Sequence, residues 1–498
     1  MRRSARTPTL ALLAFCLLGA ESRPARKAGD LSWSPWVLET PTGDKVAAEL
    51  GTLVTSENRQ RPDSRLLELS FLRLKSLSPH PGPPIVYLAG GPGGSGIEAA
   101  QGARYPVLSA LRQVADVIVL DQRGIGKSAH VLMLCRESWQ YPIDQPGDRE
   151  AMIALARHHS RACADFLARN HIDATGYTNV ESADDIEDLR RALGAPRISL
   201  LGVSYGTSLA LTALKRHPVT IERVVLAGVE GPGQQLVLPS GLQALLSEVD
   251  RLVREDRAIS TAVPDFLALM RSVLDRLGRQ PATAEAIDRM AGRKVSVPVG
   301  RFDLQLMTAQ WLTTSDGIRR LPGEYLRMSQ GDFSALADFV YRRRNGWLGQ
   351  AMPYLVRCSL GTSPQRLARI FAEERVALLG RTADFPYPEI CDAWGLPTPG
   401  PESWAPVRSD APVLLVSGSL DGRTPPDNAT EVARGLSRPT QLLIDGAGHG
   451  DDLLLSSPEI TSAIVEFLRG RKPKSERIAL GPFRFAPLQW NSSSSKVP

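Results

Sequence analysis

The amino-acid sequence predicts a mostly parallel α/β sheet with helices on both faces and a large helical cap inserted between late strands. Three observations predict this fold. Short apolar runs end in Gly-rich or acidic turns, helical patterns separate them, and the alternation stops for about 180 residues before it resumes. The apolar runs are the predicted strands, at residues 85–88, 117–120, 198–201, 224–226, 413–416 and 441–444.

Helical periodicity with matching end signals lies between these strands. One helix is predicted at Ala183–Leu193, after Ser182 and before Gly194, and another at Tyr205–Arg216. The alternating pattern of Arg65–Leu74 is typical of a half-exposed strand and predicts an edge of the sheet.

The division into domains follows from the interrupted alternation. A structureless loop of about 180 residues is untypical of a compact domain, and apolar stripes at helical spacing follow Ser240 and Asp265, so the interruption predicts a cap. The basic, then Ser-rich tail is predicted to be loosely ordered. The predicted units are a signal peptide (1–20), the first part of the core (31–229), the cap (230–410), the second part of the core (411–470) and the tail (471–498).

The composition is that of a globular protein, with 43% hydrophobic and 22% charged residues. Arg2, Arg3 and Arg6 precede the apolar run Leu10–Ala20, which is a signal-peptide layout and predicts export to a periplasm or beyond the cell. An uncleaved anchor and lipid modification of Cys16 remain alternatives. Without those three arginines the net charge of +6 falls to +3, which does not indicate nucleic-acid binding. No later stretch is long and apolar enough to predict a membrane span.

Cysteine use agrees with export. Cys135, Cys163, Cys358 and Cys391 follow the leader and allow three disulfide connectivities, of which proximity favours Cys135 with Cys163 and Cys358 with Cys391. If residues 1–20 are not a signal peptide, the alternative is that all four cysteines are free thiols. The spacing matches no metal-binding motif, so neither a metal nor a cofactor is predicted.

The segment Gly202–Gly206 matches the G-x-S-x-G pattern, with Ser204 at its centre. It lies between a predicted strand and a predicted helix, where a sharp turn would expose the serine hydroxyl above the sheet. The sequence therefore predicts Ser204 as a nucleophile. A serine that only caps the following helix is the alternative.

A serine hydroxyl needs a base and a group that orients the base. Of the seven histidines, only His449 lies beyond residue 217, in a Gly-rich turn directly after a predicted strand. Asp421 follows the preceding strand of the sheet, at the carboxyl end where sites form, and is predicted to orient His449. Asp427 and Asp445 are less favoured, because the first opens a helix and the second ends a strand.

Hydrolysis also needs N–H donors for the negative charge on the substrate oxygen. The backbone of Tyr205 is one predicted donor, and the Gly-rich segment Gly90–Gly96 supplies the other. Because Pro92 has no N–H, the backbone N–H of Gly91 is the predicted second donor.

Two glycine patterns imitate nucleotide sites. Gly91, Gly93 and Gly96 with Asp121 resemble a dinucleotide fingerprint, and Gly124–Ser128 resembles a phosphate loop. A nicotinamide oxidoreductase would leave the serine, aspartate and histidine turns unexplained, so it stays a remote alternative, as does a non-catalytic binding protein.

The motifs together resemble the α/β-hydrolase fold and, within it, the proline iminopeptidase and tripeptidyl aminopeptidase group of serine peptidases. The resemblance implies cleavage from a free N-terminus by an exported enzyme, with Asp121 and Arg123 bracing the turn. The segments that carry it are residues 90–96, 121–128, 202–206, 417–421 and 446–450.

Substrate preference is less determined. Ala89 stands where proline iminopeptidases have histidine, so their preference does not carry over. An aminopeptidase needs a carboxylate for the substrate's ammonium, and Glu230 and Glu324 are the candidates. A short peptide is the predicted substrate. An esterase or lipase acting on a small ester is the alternative, since the same machinery cleaves both, and the oligomeric state is open.

Overall fold

The computed structural model describes residues 26–129, 133–138, 141–344 and 347–488. The predicted signal peptide and the Ser492–Ser495 run lie outside the described residues. The strands are β1 (Leu31–Glu39), β2 (Lys45–Ser56), β3 (Leu66–Leu74), β4 (Ile85–Leu88), β5 (Val117–Leu120), β6 (Leu134–Ser138), β7 (Ile198–Val203), β8 (Ile221–Ala227), β9 (Ala282–Asp288), β10 (Arg293–Val299), β11 (Trp347–Gln350), β12 (Val413–Gly418), β13 (Pro439–Asp445) and β14 (Arg477–Ala479).

The helices alternate with strands in the first half of the chain and cluster in the second. They are α1 (Gly96–Gln101), α2 (Tyr105–Leu111), α3 (Arg149–Arg169), α4 (Asn179–Ala192), α5 (Tyr205–Arg216), α6 (Pro239–Glu255), α7 (Arg257–Ser260), α8 (Phe266–Arg279), α9 (Arg301–Trp311), α10 (Ser315–Ser329), α11 (Ser334–Arg344), α12 (Met352–Leu360), α13 (Pro364–Glu374), α14 (Pro426–Ala433), α15 (Asp452–Leu455) and α16 (Pro458–Leu468). None of the helices in the described ranges is both long and apolar enough to cross a bilayer.

A ten-stranded sheet forms the centre, in the order β1-β2-β3-β5-β4-β7-β8-β12-β13-β14. The pairs that join β1, β2, β3 and β5 are antiparallel, and the pairs from β5 to β14 are parallel. The predicted mostly parallel α/β sheet is confirmed. The predicted edge position of Arg65–Leu74 is wrong, because β2 pairs with the outer side of β3 and β1 lies beyond it.

The central strands are buried on both faces. Along β7, Leu200 packs into the apolar cluster on one face of the sheet and Leu201 into the cluster on the other. Every residue of β4, β5 and β7 is buried, which explains their continuous apolar runs in the sequence.

Helix α4 begins four residues before its predicted start at Ala183. The Thr178 side chain caps it by accepting a hydrogen bond from the N–H of Glu181. Its first turn buries polar side chains, because Asn179 donates to the Thr212 hydroxyl and Glu181 pairs with Arg59. Buried polar residues do not appear in an apolar pattern, which is why the prediction began too late.

Between β8 and β12 the chain forms α6 to α13, the antiparallel pair β9–β10 and β11. Helices α6 to α11 and the pair β9–β10 share an apolar cluster, to which α6 and α8 contribute one face each and which also includes Met152 and Ile153 of α3. Helix α12 packs instead into a cluster of the central sheet. Two disulfides are present, Cys135–Cys163 and Cys358–Cys391, which is the pairing that proximity favours.

The tail is more ordered than predicted over its described part. Strand β14 extends the sheet by parallel pairing with β13. Beyond it, the N–H of Ala486 donates to the carbonyl of Arg319, and the Phe485 ring is buried against the cluster between β8 and β12. The prediction of loose order is therefore wrong for residues 477–488, because a basic composition does not prevent an edge strand from pairing.

Candidate active site

Ser204 stands at a sharp turn between β7 and α5. Its backbone has φ 55° and ψ −125°, a conformation that residues other than glycine rarely adopt. The flanking glycines allow the turn: a Cβ at Gly202 would lie 2.3 Å from the carbonyl oxygen of Gly206, and a Cβ at Gly206 would lie 2.1 Å from that of Leu88. The strained serine is thus held by backbone on both sides.

Three predicted residues converge beside this turn. The Ser204 hydroxyl lies 2.8 Å from Nε2 of His449, and Nδ1 of His449 lies 2.8 Å from Oδ2 of Asp421. The Asp421 side chain is fully buried, whereas the histidine ring keeps 14% of its surface exposed. A base in this position can take the serine proton while the buried carboxylate fixes its tautomer.

The other two acids considered from the sequence lie elsewhere. Asp445 ends β13 and pairs with Arg477 at the surface. Asp427 is in the first turn of α14. The structure thus brings Asp421 to His449 and gives the other two carboxylates different places.

Thr424 belongs to the same network and was missed by the sequence analysis. Its hydroxyl donates to Oδ2 of Asp421 at 2.7 Å and lies 3.0 Å from Nδ1 of His449. Oδ1 of Asp421 accepts the backbone N–H groups of Arg423 and Thr424 at 2.8 and 2.7 Å. The Asp421 carboxylate is therefore held at both oxygens. The one signal in the sequence for the contact between Asp421 and Thr424 is their D-x-x-T spacing.

Of the two predicted N–H donors, Tyr205 directly follows the serine and Gly91 follows Gly90, which lies against it. Neither the N–H of Gly91 nor that of Tyr205 has a hydrogen-bond partner among the described residues. The neighbouring Gly90 approaches closely, since a Cβ there would lie 2.9 Å from the Cβ of Ser204. Two unpaired donors beside a serine are the requirement for binding a developing oxyanion.

Asp121 holds the Gly-rich loop. Its carboxylate accepts the Ser95 hydroxyl at 2.5 Å and the N–H groups of Ile97 and Lys127 at 3.1 and 2.8 Å. Its residue surface is fully buried, so it is not available to a ribose. The glycine pattern that imitates a dinucleotide fingerprint is explained as a braced loop.

Arg123 joins the same turn to the rest of the core. Its buried guanidinium pairs with Asp185 at 2.6 Å and donates to the carbonyls of Glu57 and Gly176. Both charged residues after β5 therefore brace the turn, as the family resemblance implied.

Glu230 lies just after β8 and is 2% exposed. Its Oε1 has no hydrogen-bond partner among the described residues, and its Oε2 lies 3.8 Å from Arg423. Arg423 pairs with Asp384 at 2.5 Å, and Arg357 lies 3.9 Å from the same carboxylate. Burial lowers the pKa of Arg423, but the nearby carboxylates outweigh this effect and raise it overall. Two carboxylates and two guanidiniums thus balance each other beside the site.

Glu324 lies in α10 with different neighbours. Arg327 is 3.5 Å away, and residues 486–488 line the same small cavity. Burial raises the pKa of the Glu324 carboxyl, partly offset by Arg327. Neither Ser204 nor His449 lines that cavity.

A cavity of about 440 Å³ borders the site at Asp421 and Arg423, and α6 and α13 form its opposite wall. Ser204 and His449 do not line it. No cluster of metal-ligating side chains occurs in the described ranges.

The sheet order and the serine turn define a serine hydrolase of the α/β class. The family model described as the alpha/beta hydrolase fold matches residues 83–451, and the chain belongs to this family.

Three named relatives are peptidases. The chain is 26% identical to serine protease Hip1 of Mycobacterium tuberculosis over 43% of each chain. It is 29% identical to a tripeptidyl aminopeptidase of Streptomyces coelicolor over 31% of this chain and 29% of that one. It is 26% identical to a proline iminopeptidase of Neisseria gonorrhoeae over 30% of this chain and 33% of that one. The matches span less than half of each relative. They support the peptidase group within the α/β-hydrolase fold.

Proposed function

We propose that the protein is an exported serine peptidase that cleaves short peptides from a free N-terminus through an acyl-enzyme. One observation carries the proposal: the hydroxyl of Ser204, the ring of His449 and the carboxylate of Asp421 form a chain with two contacts of 2.8 Å. The peptidase relatives favour an amide as the bond that is cleaved.

The geometry supports a two-step reaction. His449 accepts the Ser204 proton at Nε2 as the serine oxygen attacks the carbonyl carbon, and the N–H groups of Gly91 and Tyr205 stabilise the oxyanion. His449 then gives this proton to the departing amine, which leaves an ester on Ser204. In the second step His449 takes a proton from water, which attacks the ester, and gives that proton to the Ser204 oxygen as the acid is released.

The aminopeptidase part of the proposal depends on a carboxylate for the ammonium. Glu230 is the better supported of the two predicted acids, because it follows β8 next to the strand that ends at Ser204, and its Oε1 can accept one more donor. The Glu324 contacts lie with α10 and residues 486–488 instead.

Export is supported by the leader pattern of residues 1–20 and by the two disulfides, since disulfides persist in oxidising compartments.

The test begins with a fluorophosphonate probe on the purified protein. We expect labelling of the wild type and none of Ser204→Ala. Aminoacyl arylamides should be cleaved faster than aryl esters of the same acyl group, relative to the uncatalysed reactions. Blocking the substrate's amine should abolish turnover. Rapid internal cleavage of folded proteins would reject the aminopeptidase part of the proposal, and a preference for esters would reject the peptidase assignment.

A further inference from the structure

A second cavity, of about 180 Å³, lies beside the histidine loop. The backbone carbonyl of Thr313, one of its lining residues, accepts the N–H of His449 at 2.6 Å. Gly422 and Arg423, which follow Asp421 directly, line it as well. The cavity therefore adjoins the loops that carry the base and its orienting acid.

The opposite wall of the cavity comes from the region between β8 and β12. It combines apolar side chains with a few polar ones, which is the usual lining of a substrate pocket. The remaining lining residues are Leu306, Ala309, Gln310, Arg343, Thr382, Ala383 and Phe385.

Arg343 is the cation in this cavity without a partner among the described residues. The other lining guanidinium, that of Arg423, pairs with Asp384. The neighbouring Arg344 is buried and pairs with Asp303 at 2.7 Å, so the carboxylate whose charge acts on Arg343 is already occupied.

The surroundings of Arg343 favour an incoming anion. Arg343 itself is exposed to solvent, and crowding by protein atoms lowers the pKa of its guanidinium, which the nearby Tyr354 and Asp303 only partly offset. Its Cζ lies 5.9 Å from the centre of the Phe385 ring, which limits the approach of water from that side. A carboxylate in the cavity would form a charge-assisted pair with this guanidinium.

An arginine in the last turn of a helix is also expected simply to oppose the negative end of the helix dipole. Arg342 stands in the same turn of α11 and is exposed, as Arg343 is, but it does not line the cavity. It offers a matched control with the same charge and helix position.

We propose that Arg343 forms a subsite for a carboxylate of the substrate. This inference rests on the proposed peptidase function, and the carboxylate is either the C-terminus of a short peptide or an acidic side chain. With the ammonium end at Glu230, a cation at a fixed distance would favour peptides of limited length.

Binding can be measured without catalysis in the Ser204→Ala protein by calorimetry. The probes are a neutral tetrapeptide with a free C-terminus, its C-terminal amide, and amidated peptides that differ only in Glu or Gln at one position. We expect the free-carboxylate peptide to bind about ten- to hundredfold more tightly than its amide. When Arg343→Gln is added to the Ser204→Ala protein, the ratio of these two affinities should fall close to one. When Arg342→Gln is added instead, the ratio should stay unchanged.

The second comparison is the affinity of the Glu peptide relative to the Gln peptide. If Arg343→Gln abolishes this difference, and not the difference between the free C-terminus and its amide, the ligand is an acidic side chain. If neither ratio changes, the subsite does not exist. Far-ultraviolet circular dichroism of each variant shows that the fold is retained. Turnover of the same peptides by the wild type tests the peptidase function separately, so a subsite on a protein that cleaves no peptide would still be recognised.

Discussion

The candidate site has one wall formed by the central sheet and one formed by the chain between β8 and β12, and the two walls are held in different ways. On the wall formed by the central sheet, the strained turn at Ser204 packs against backbone, and the Asp121 and Asp421 carboxylates accept hydrogen bonds at both oxygens. The wall formed by the chain between β8 and β12 is connected by long side chains: Arg357 of this wall and Arg423 of the sheet wall both lie beside its Asp384.

The difference indicates a division of labour. Backbone-held groups keep reacting atoms within a few tenths of an ångström, which acyl transfer requires. Arginine side chains can change partners, which suits the choice of substrate. Changes on the first wall should therefore lower the catalytic rate, and changes on the second should alter stability or binding.

The largest effect is expected for Asp421→Asn. It leaves His449 without a carboxylate to fix its tautomer, so kcat for an aminoacyl arylamide should fall about 10⁴-fold. Asp445→Asn, which affects only a surface pair with Arg477, should stay within about twofold of the wild type. Equal losses in both variants would contradict the geometry.

Asp384→Asn tests the connection between the walls. Removing one partner of a buried pair leaves Arg423 poorly compensated, so the free energy of unfolding should fall by about 3–5 kcal/mol. Urea denaturation measures it. The exposed pair Asp275–Arg301 is the control, and Asp275→Asn should change stability little. A result that reverses this order would mean that the two walls are not joined through Asp384.

Gly206→Ala tests the backbone contact beneath the serine turn. The added methyl would meet the carbonyl of Leu88, which cannot move without disturbing β4, so we expect a loss of about 3 kcal/mol and lower activity. Gly323→Ala in α10 adds a methyl 3.7 Å from Leu488 and should raise stability by up to about 1 kcal/mol. Thermal unfolding of both compares the two walls directly.

Thr424→Val removes a hydrogen bond to Asp421 while keeping the side-chain shape. We expect kcat to fall about ten- to hundredfold with KM little changed, since the contact positions the base and not the substrate. Thr424→Ser keeps the hydroxyl and should recover most of the rate. If Thr424→Ser loses the rate while Thr424→Val keeps it, packing by the methyl group, and not the hydroxyl, is what matters.

The smallest effect is expected for Glu324→Gln. Because burial raises the pKa of this carboxyl in the folded protein, its protonated form is favoured, and stability is lost as pH rises through that pKa. The neutral variant should therefore melt about 1–2 °C higher at pH 8 and match the wild type below pH 4. A raised KM in this variant would instead support Glu324 as the ammonium ligand.

Much of the sheet was predictable because its strands are buried on both faces and its turns carry glycine. The first two strands were missed, since Leu31–Glu39 and Lys45–Ser56 mix exposed and buried residues without a clean alternation. The start of α4 was missed because its buried side chains are polar. The tail was judged by composition, which carries no information on pairing with a distant strand.

By itself, the sequence determined the fold class, the serine turn and the order of serine, aspartate and histidine along the chain. These follow from patterns only a few residues long, in which periodicity and glycine act locally. Only the tertiary structure decided which of three carboxylates meets His449, that Thr424 joins them, and that no acid among the described residues pairs with Arg343. Those are distances between segments far apart in the chain, and packing of the whole molecule sets them.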